Sequence, residues 1–304
     1  MLKQAVLRWW GITRDAVRLW LDCNAFSYAG SLAFYTLFSL APVVIIAVSV
    51  IGLVLGEEAA QGQIVTQLQD VMGRDAAMAV EQAVARSRIE ESGLLPTVLG
   101  LLALLVGATT VFSQMQFSLN TIWGVTARPD SNSILQFLKS RLLSLAVVLS
   151  IGFVLLVSLL LGVTLRAALH FAHRFVPAVE ALLTGAELVA SAVAVALLFG
   201  AIFKVLPDVI LKWRDVLVGA AVTAVLFSVG RYAIAAYLAY TATASAYGAA
   251  GSVVLILLWV YYSSLILLFG AAFTKVHLLS RGRPVVPRNS AVLVRRELMT
   301  GDTA

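Results

Sequence analysis

Residues 249–273, AAGSVVLILLWVYYSSLILLFGAAF, contain no charged side chain. As helix, this run rises roughly 38 Å at 1.5 Å per residue, more than the ~30 Å hydrocarbon core of a bilayer. The stretch therefore reads as a membrane-spanning helix, and that reading decides the fold. Working outward from it, comparable apolar runs lie at about 216–240, 181–206, 142–165, 94–119 and 26–55. Composition agrees. Of 304 residues, 61% are hydrophobic and 12% charged, with a mean hydropathy of +0.94, whereas a soluble domain is about a quarter charged. Too little polar surface remains to cover a globule in water. The expected fold is all-α, a polytopic membrane helix bundle of about six transmembrane helices over residues 24–277. An N-terminal amphipathic interfacial helix (1–23) precedes it and a basic cytoplasmic tail (278–304) follows.

The segments between the runs are legible too. In 1–23, Trp9, Trp10 and Trp20 lie among Leu and Val with basic residues between them. Such a helix either lies in the headgroup layer or packs on the bundle as a cap. Pro42, inside the first span, removes a backbone donor and kinks the helix; nearby Ser39 offers a hydroxyl to the freed backbone. Residues 56–93 hold seven acidic and three basic side chains and read as a helical periplasmic insert. The single cysteine, Cys23, excludes a disulfide within the chain and reads as a small core residue. Lys3, Arg8, Arg14 and Arg18 interrupt the apolar residues too often for a cleavable signal peptide.

Charge sets the orientation. The N-terminus, the loops Arg128–Arg141 and Lys204–Arg214, and the tail from Lys275 carry 16 Lys and Arg on one side of a six-span model. Arg74, Arg86, Arg88, Arg166 and Arg174 make five on the other. Lys and Arg are retained in the cytoplasm, so both termini are expected there. Trp123 and Trp213 then fall at the cytoplasmic interface, where amphipathic rings prefer to sit. The net charge of +6 follows from the same retention, and no nucleic acid partner is expected.

Arg231 falls inside the fifth span. A charge at membrane depth costs at least ~2.5–3.5 kcal/mol, so it should face the bundle interior or a wet cavity. Ala220, Ala224 and Ser228 share its helical face. Glu187 in the fourth span reaches a similar depth and is the expected partner; the alternative has Glu187 interfacial and Arg231 snorkelling. Asn120, Tyr35 and Ser39 would join Arg231 and Glu187 on an intramembrane polar path, or serve as interhelical hydrogen bonds. His170 and His173 lack the further ligands a metal needs. No Ser-His-Asp set, phosphate loop or acidic metal cluster stands in the water-exposed segments. Neither enzymatic activity nor a metal or other cofactor is expected. The expected partners are the lipid bilayer, an envelope or small-molecule substrate of unassigned identity, and a further copy of the chain.

Three segments carry a family likeness: Ala29-Gly-Ser-Leu-Ala-Phe-Tyr-Thr-Leu-Phe-Ser-Leu-Ala-Pro42, Thr110-Val-Phe-Ser-Gln-Met-Gln-Phe-Ser-Leu-Asn-Thr-Ile-Trp123, and a discontinuous third. The third runs from Leu206-Pro-Asp through Trp213-Arg-Asp-Val-Leu-Val-Gly-Ala220, Arg231, Tyr247-Gly and Leu258-Trp-Val-Tyr-Tyr262 to Gly270-Ala271. In this order and spacing they resemble the YihY / virulence factor BrkB family of bacterial inner-membrane proteins over about residues 24–277. The resemblance implies six helices and an inner-membrane location. It also implies a role in the cell envelope, because some relatives are linked to serum resistance and to export of lipopolysaccharide precursors. The family's former label, ribonuclease BN, does not suit a chain whose polar groups lie in lipid. Arg231 matches a family preference for Lys or Arg. Ala272 departs from it, since an acidic or amide residue is expected after Gly-Ala. The function expected is a transporter or a translocator of lipid or another envelope component; the alternative is a membrane scaffold that supports envelope assembly.

Overall fold

A computed structural model describes residues 2–39, 62, 78, 94–128, 180–240 and 249–294. Among these, six helices appear: α1 (Leu2–Asp22), α2 (25–39), α3 (Leu94–Trp123), α4 (Glu180–Val205), α5 (Trp213–Tyr240) and α6 (Ala249–Ser280). Every expected span within the described residues is helical. The third expected span, the insert at 56–93 apart from Gly62 and Met78, Pro42, His170 and His173 lie outside them. Two stretches, Trp213–Ile234 and Ile256–Ser280, are long and apolar enough to cross a membrane.

Local chemistry sets the helix ends. Between α1 and α2, Asn24 adopts a left-handed conformation (φ 54°), which asparagine tolerates better than most residues. Gly124 and Gly282 close α3 and α6 with φ of 70° and 71°, the left-handed stop that lacks a Cβ penalty. At the start of α5, the Asp215 carboxylate accepts from the Lys212 backbone N–H at 2.9 Å. That is the reach-back of an acidic third residue to the cap position.

Helix α6 is the central element, packing on α1, α3 and α5, while α4 packs on α5. The α5–α6 seam is built from reciprocal notches. A Cβ on Gly219 would overlap the Thr274 hydroxyl, and one on Gly270 would overlap the Thr223 hydroxyl. Each threonine bonds the carbonyl one turn back in its own helix, Thr223 to Gly219 and Thr274 to Gly270, both at 2.6 Å. Their hydroxyls are thus satisfied without leaving the contact. Further along α5, Gly230 faces Tyr262, whose hydroxyl donates to the Leu226 carbonyl at 3.2 Å. Small residues at such a seam let backbones approach where lipid supplies no hydrophobic drive between helices.

Two features differ from the sequence reading. A two-stranded antiparallel ribbon, β1 (Val125–Ala127) with β2 (Ala291–Leu293), joins the helices. Residues 281–294 therefore fold back onto the bundle. Trp123, expected at the interface, is instead buried in the core with Leu119, Ile122, Val125 and, from the ribbon, Ala291. Helix α1 packs on the bundle, the second of its two expected roles. Ile12 and Ala16 are buried with Phe273, and the Trp20 indole N–H donates to the Leu265 carbonyl at 3.2 Å. Its opposite stripe leaves Val6, Leu7, Trp10, Val17 and Leu21 exposed. Cys23 is buried in the core, as expected.

Candidate functional site

The bundle has one basic end, where α3 and α4 stop, α5 starts and α6 finishes. The last carbonyls of a helix have no partner within it, and here basic side chains from distant sequence supply them. Lys275 Nζ on α6 donates to the Ile122 carbonyl of α3 at 2.8 Å. Arg288 Nη2 donates to the Lys204 and Val205 carbonyls of α4 at 3.3 and 3.1 Å. Cations at these positions also complement the helix dipoles.

The α4–α5 connection, residues 206–212, is clasped from two sides. On one side Asn120 and Asp208 bond reciprocally. Asn120 Nδ2 donates to Asp208 Oδ2 at 2.8 Å, and the Asp208 backbone N–H donates to Asn120 Oδ1 at 2.8 Å. Only one orientation of the amide satisfies both bonds. Gln116 Nε2, one turn earlier, adds a 3.3 Å bond to the same carboxylate oxygen. On the other side the Ile210 N–H donates to the Val286 carbonyl at 2.8 Å and the Arg288 N–H to the Asp208 carbonyl at 2.9 Å. Arg283 pairs with the buried Asp215 carboxylate. One carboxylate thus caps α5 and anchors the returning tail.

The residues expected on a polar path do not form one cluster. Asn120 belongs to the junction just described. Ser39 is buried and donates to the Thr36 carbonyl at 3.3 Å, and Tyr35 is exposed with its ring edge-on to Phe34. Helices α2 and α3 meet where Cys23 faces the Thr121 carbonyl and Tyr28 faces Phe117. Tyr35 and Ser39 therefore stand roughly 18–24 Å along α2 from the level of Asn120. Arg231 stands ~27 Å along α5 from Trp213. Its Nη2 lies 3.5 Å from the Tyr232 hydroxyl, and its guanidinium lies 5.2 Å from that ring's centroid. Tyr232 is 63% exposed. Below Arg231 on its own face, Ala220 and Ala224 are buried, as the small-residue pattern predicts. For Glu187 only the backbone, within α4, is described, so the expected pair with Arg231 lies outside the described atoms. Ala272 is fully buried against the core.

Asp208, Asp215, Lys275, Arg283 and Arg288 were missed as a group, although Leu206-Pro-Asp stood among the segments that carried the likeness. Each has its partner dozens of positions away in the sequence. The only local signal was the run of basic residues beyond the sixth span.

Comparison with known proteins follows the same segments. The family model described as "Virulence factor BrkB" matches residues 16–289. A UPF0761 membrane protein of Nitrosospira multiformis is 30% identical over 251 residues, covering 82% of this chain and 56% of its own. One from Chromobacterium violaceum is 28% identical over 278 residues, covering 90% and 63%. One from Tolumonas auensis is 36% identical over 74 residues, 24% of each chain. The chain spans little more than half the length of the first two. No solved structure matches.

Proposed function

The chain belongs to the virulence factor BrkB family of membrane proteins, and on that premise we propose that it translocates a lipid or other envelope component across the bacterial inner membrane and is not an enzyme. The observation that carries this reading is Arg231. It lies within a stretch long and apolar enough to span the bilayer, and it is only half-buried. A guanidinium kept at membrane depth costs at least ~2.5–3.5 kcal/mol, and such a cost is retained where the charge meets a substrate. The excess of Lys and Arg at the basic end supports placing it, with both termini, in the cytoplasm.

A second reading has its own observation. The interlocked junction, with Asp208 held by two amides and Asp215 by Arg283, suits a rigid scaffold for envelope assembly. In that case Arg231 and Tyr232 anchor the far interface, with the arginine snorkelling. Reconstitution distinguishes the two. Proteoliposomes with wild-type protein should move fluorescent phospholipid between leaflets faster than protein-free vesicles, and Arg231→Ala should return the rate to background. Equal rates in wild type and Arg231→Ala would remove the arginine from the mechanism. No transfer of this probe or of labelled envelope precursors by wild-type protein would leave the scaffold.

A further inference from the structure

Where α1 begins to pack on the last turns of α6, His277 is buried, 5% exposed, and neither ring nitrogen has a hydrogen-bond partner. A buried polar group left this way costs stability and calls for an explanation. The imidazole stacks parallel to Trp9 of α1, with ring centroids 5.5 Å apart and planes 10° apart, and Phe273 completes the stack at 6.4 Å. Trp9 is itself 45% exposed, so it forms a cover over the histidine that faces outward. The charged groups whose fields reach the ring are Arg281 just past the end of α6, Arg8 of α1 and Asp215 of α5. Asp215 is already paired with Arg283. Among the described residues neither Arg8 nor Arg281 forms an ion pair, and both are exposed. Unpaired guanidinium groups thus stand next to Trp9 in the chain and four residues after His277, whose imidazole lacks hydrogen bonds beneath the tryptophan. In the same turns α1 presents Val6, Leu7 and Trp10 outward, on the stripe away from α6.

We infer that Arg8, Arg281 and His277 form a binding site for the phosphate of an anionic phospholipid, with Trp9 as its movable cover and the Val6–Leu7–Trp10 stripe against the acyl chains. The geometry favours a lipid over a free ion because the first turns of α1 carry both exposed charge and exposed apolar side chains, the arrangement that interfacial helices present to anionic membranes. The site does not depend on the translocation reading, since it would hold a lipid equally on a scaffold.

Native mass spectrometry of the full chain in detergent tests it, with phosphatidylglycerol and phosphatidylcholine of identical acyl chains as probes and inorganic phosphate as competitor. Wild-type protein should retain phosphatidylglycerol preferentially, and millimolar phosphate should not displace it. Arg8→Gln and Arg281→Gln should each weaken that retention by roughly fivefold and leave phosphatidylcholine unchanged. His277→Phe keeps the stack while removing both nitrogens, so it should lower phosphatidylglycerol retention with no loss of thermal midpoint. Equal retention of the two lipids by wild type would overturn the proposal. So would displacement by phosphate, or unchanged phosphatidylglycerol retention in the arginine variants or in His277→Phe.

Discussion

Asn120 shows how one side chain can decide a connection. Its amide uses both ends on Asp208, one on the carboxylate and one on the backbone N–H. Asn120→Ala therefore leaves a partly buried acceptor and donor facing a void. Leaving such groups unmade costs about 1–3 kcal/mol. The thermal unfolding midpoint in detergent should fall accordingly, while Tyr35→Phe, at an exposed position, should leave it unchanged. The polar character of Asn120 was visible in the sequence, but its role was not. A residue late in an apolar helix fits a transport path as well as a hydrogen bond, and its partner lies 88 positions away. Arg231 is the opposite case. Its place inside an apolar helix followed from the run that contains it, and the buried Ala220 and Ala224 on the same face followed from helical spacing.

At the scale of elements, the α5–α6 seam makes a sharper test of packing. Gly219→Ala places a methyl on the Thr274 hydroxyl, and overpacking of this kind costs typically about 1–3 kcal/mol. Thr274→Ala removes the obstructing oxygen, so the double variant should recover part of the loss. The resulting coupling, read from unfolding midpoints of the two singles and the double, should be favourable. Gly30→Ala is the control, because nothing lies within 4 Å of the added carbon; it should be neutral or mildly stabilising. Additive effects of Gly219→Ala and Thr274→Ala would contradict the notch geometry. Helix positions were legible because runs of some 25 apolar residues admit few other readings. The β1–β2 ribbon was not, since three-residue strands carry no period to detect and their pairing joins residues 125 and 293, far apart in the sequence.

At the scale of the molecule, the returning tail ties the basic end together. Residues 281–294 bring Arg283 to Asp215, Arg288 to the end of α4 and β2 to β1. A chain ending before residue 281 should lose these contacts together. Its unfolding midpoint should drop by more than that of Arg283→Gln alone, and the α4–α5 connection should become sensitive to protease. The basic composition of the tail supports the orientation reading, and its structural use was not legible because Lys275 and Arg288 act on backbone carbonyls and the acidic partner of Arg283, Asp215, lies 68 positions away.

All of this rests on a chain threaded through lipid with its basic end in the cytoplasm. Cysteine accessibility in intact cells tests that directly, in a Cys23→Ala background that removes the single native thiol. A cysteine at Ser290, beside β2, should react with a membrane-impermeant maleimide only after the cells are opened. One at Thr243, between α5 and α6, should react from outside. Labelling of Ser290→Cys in intact cells, or protection of both positions until lysis, would contradict the account.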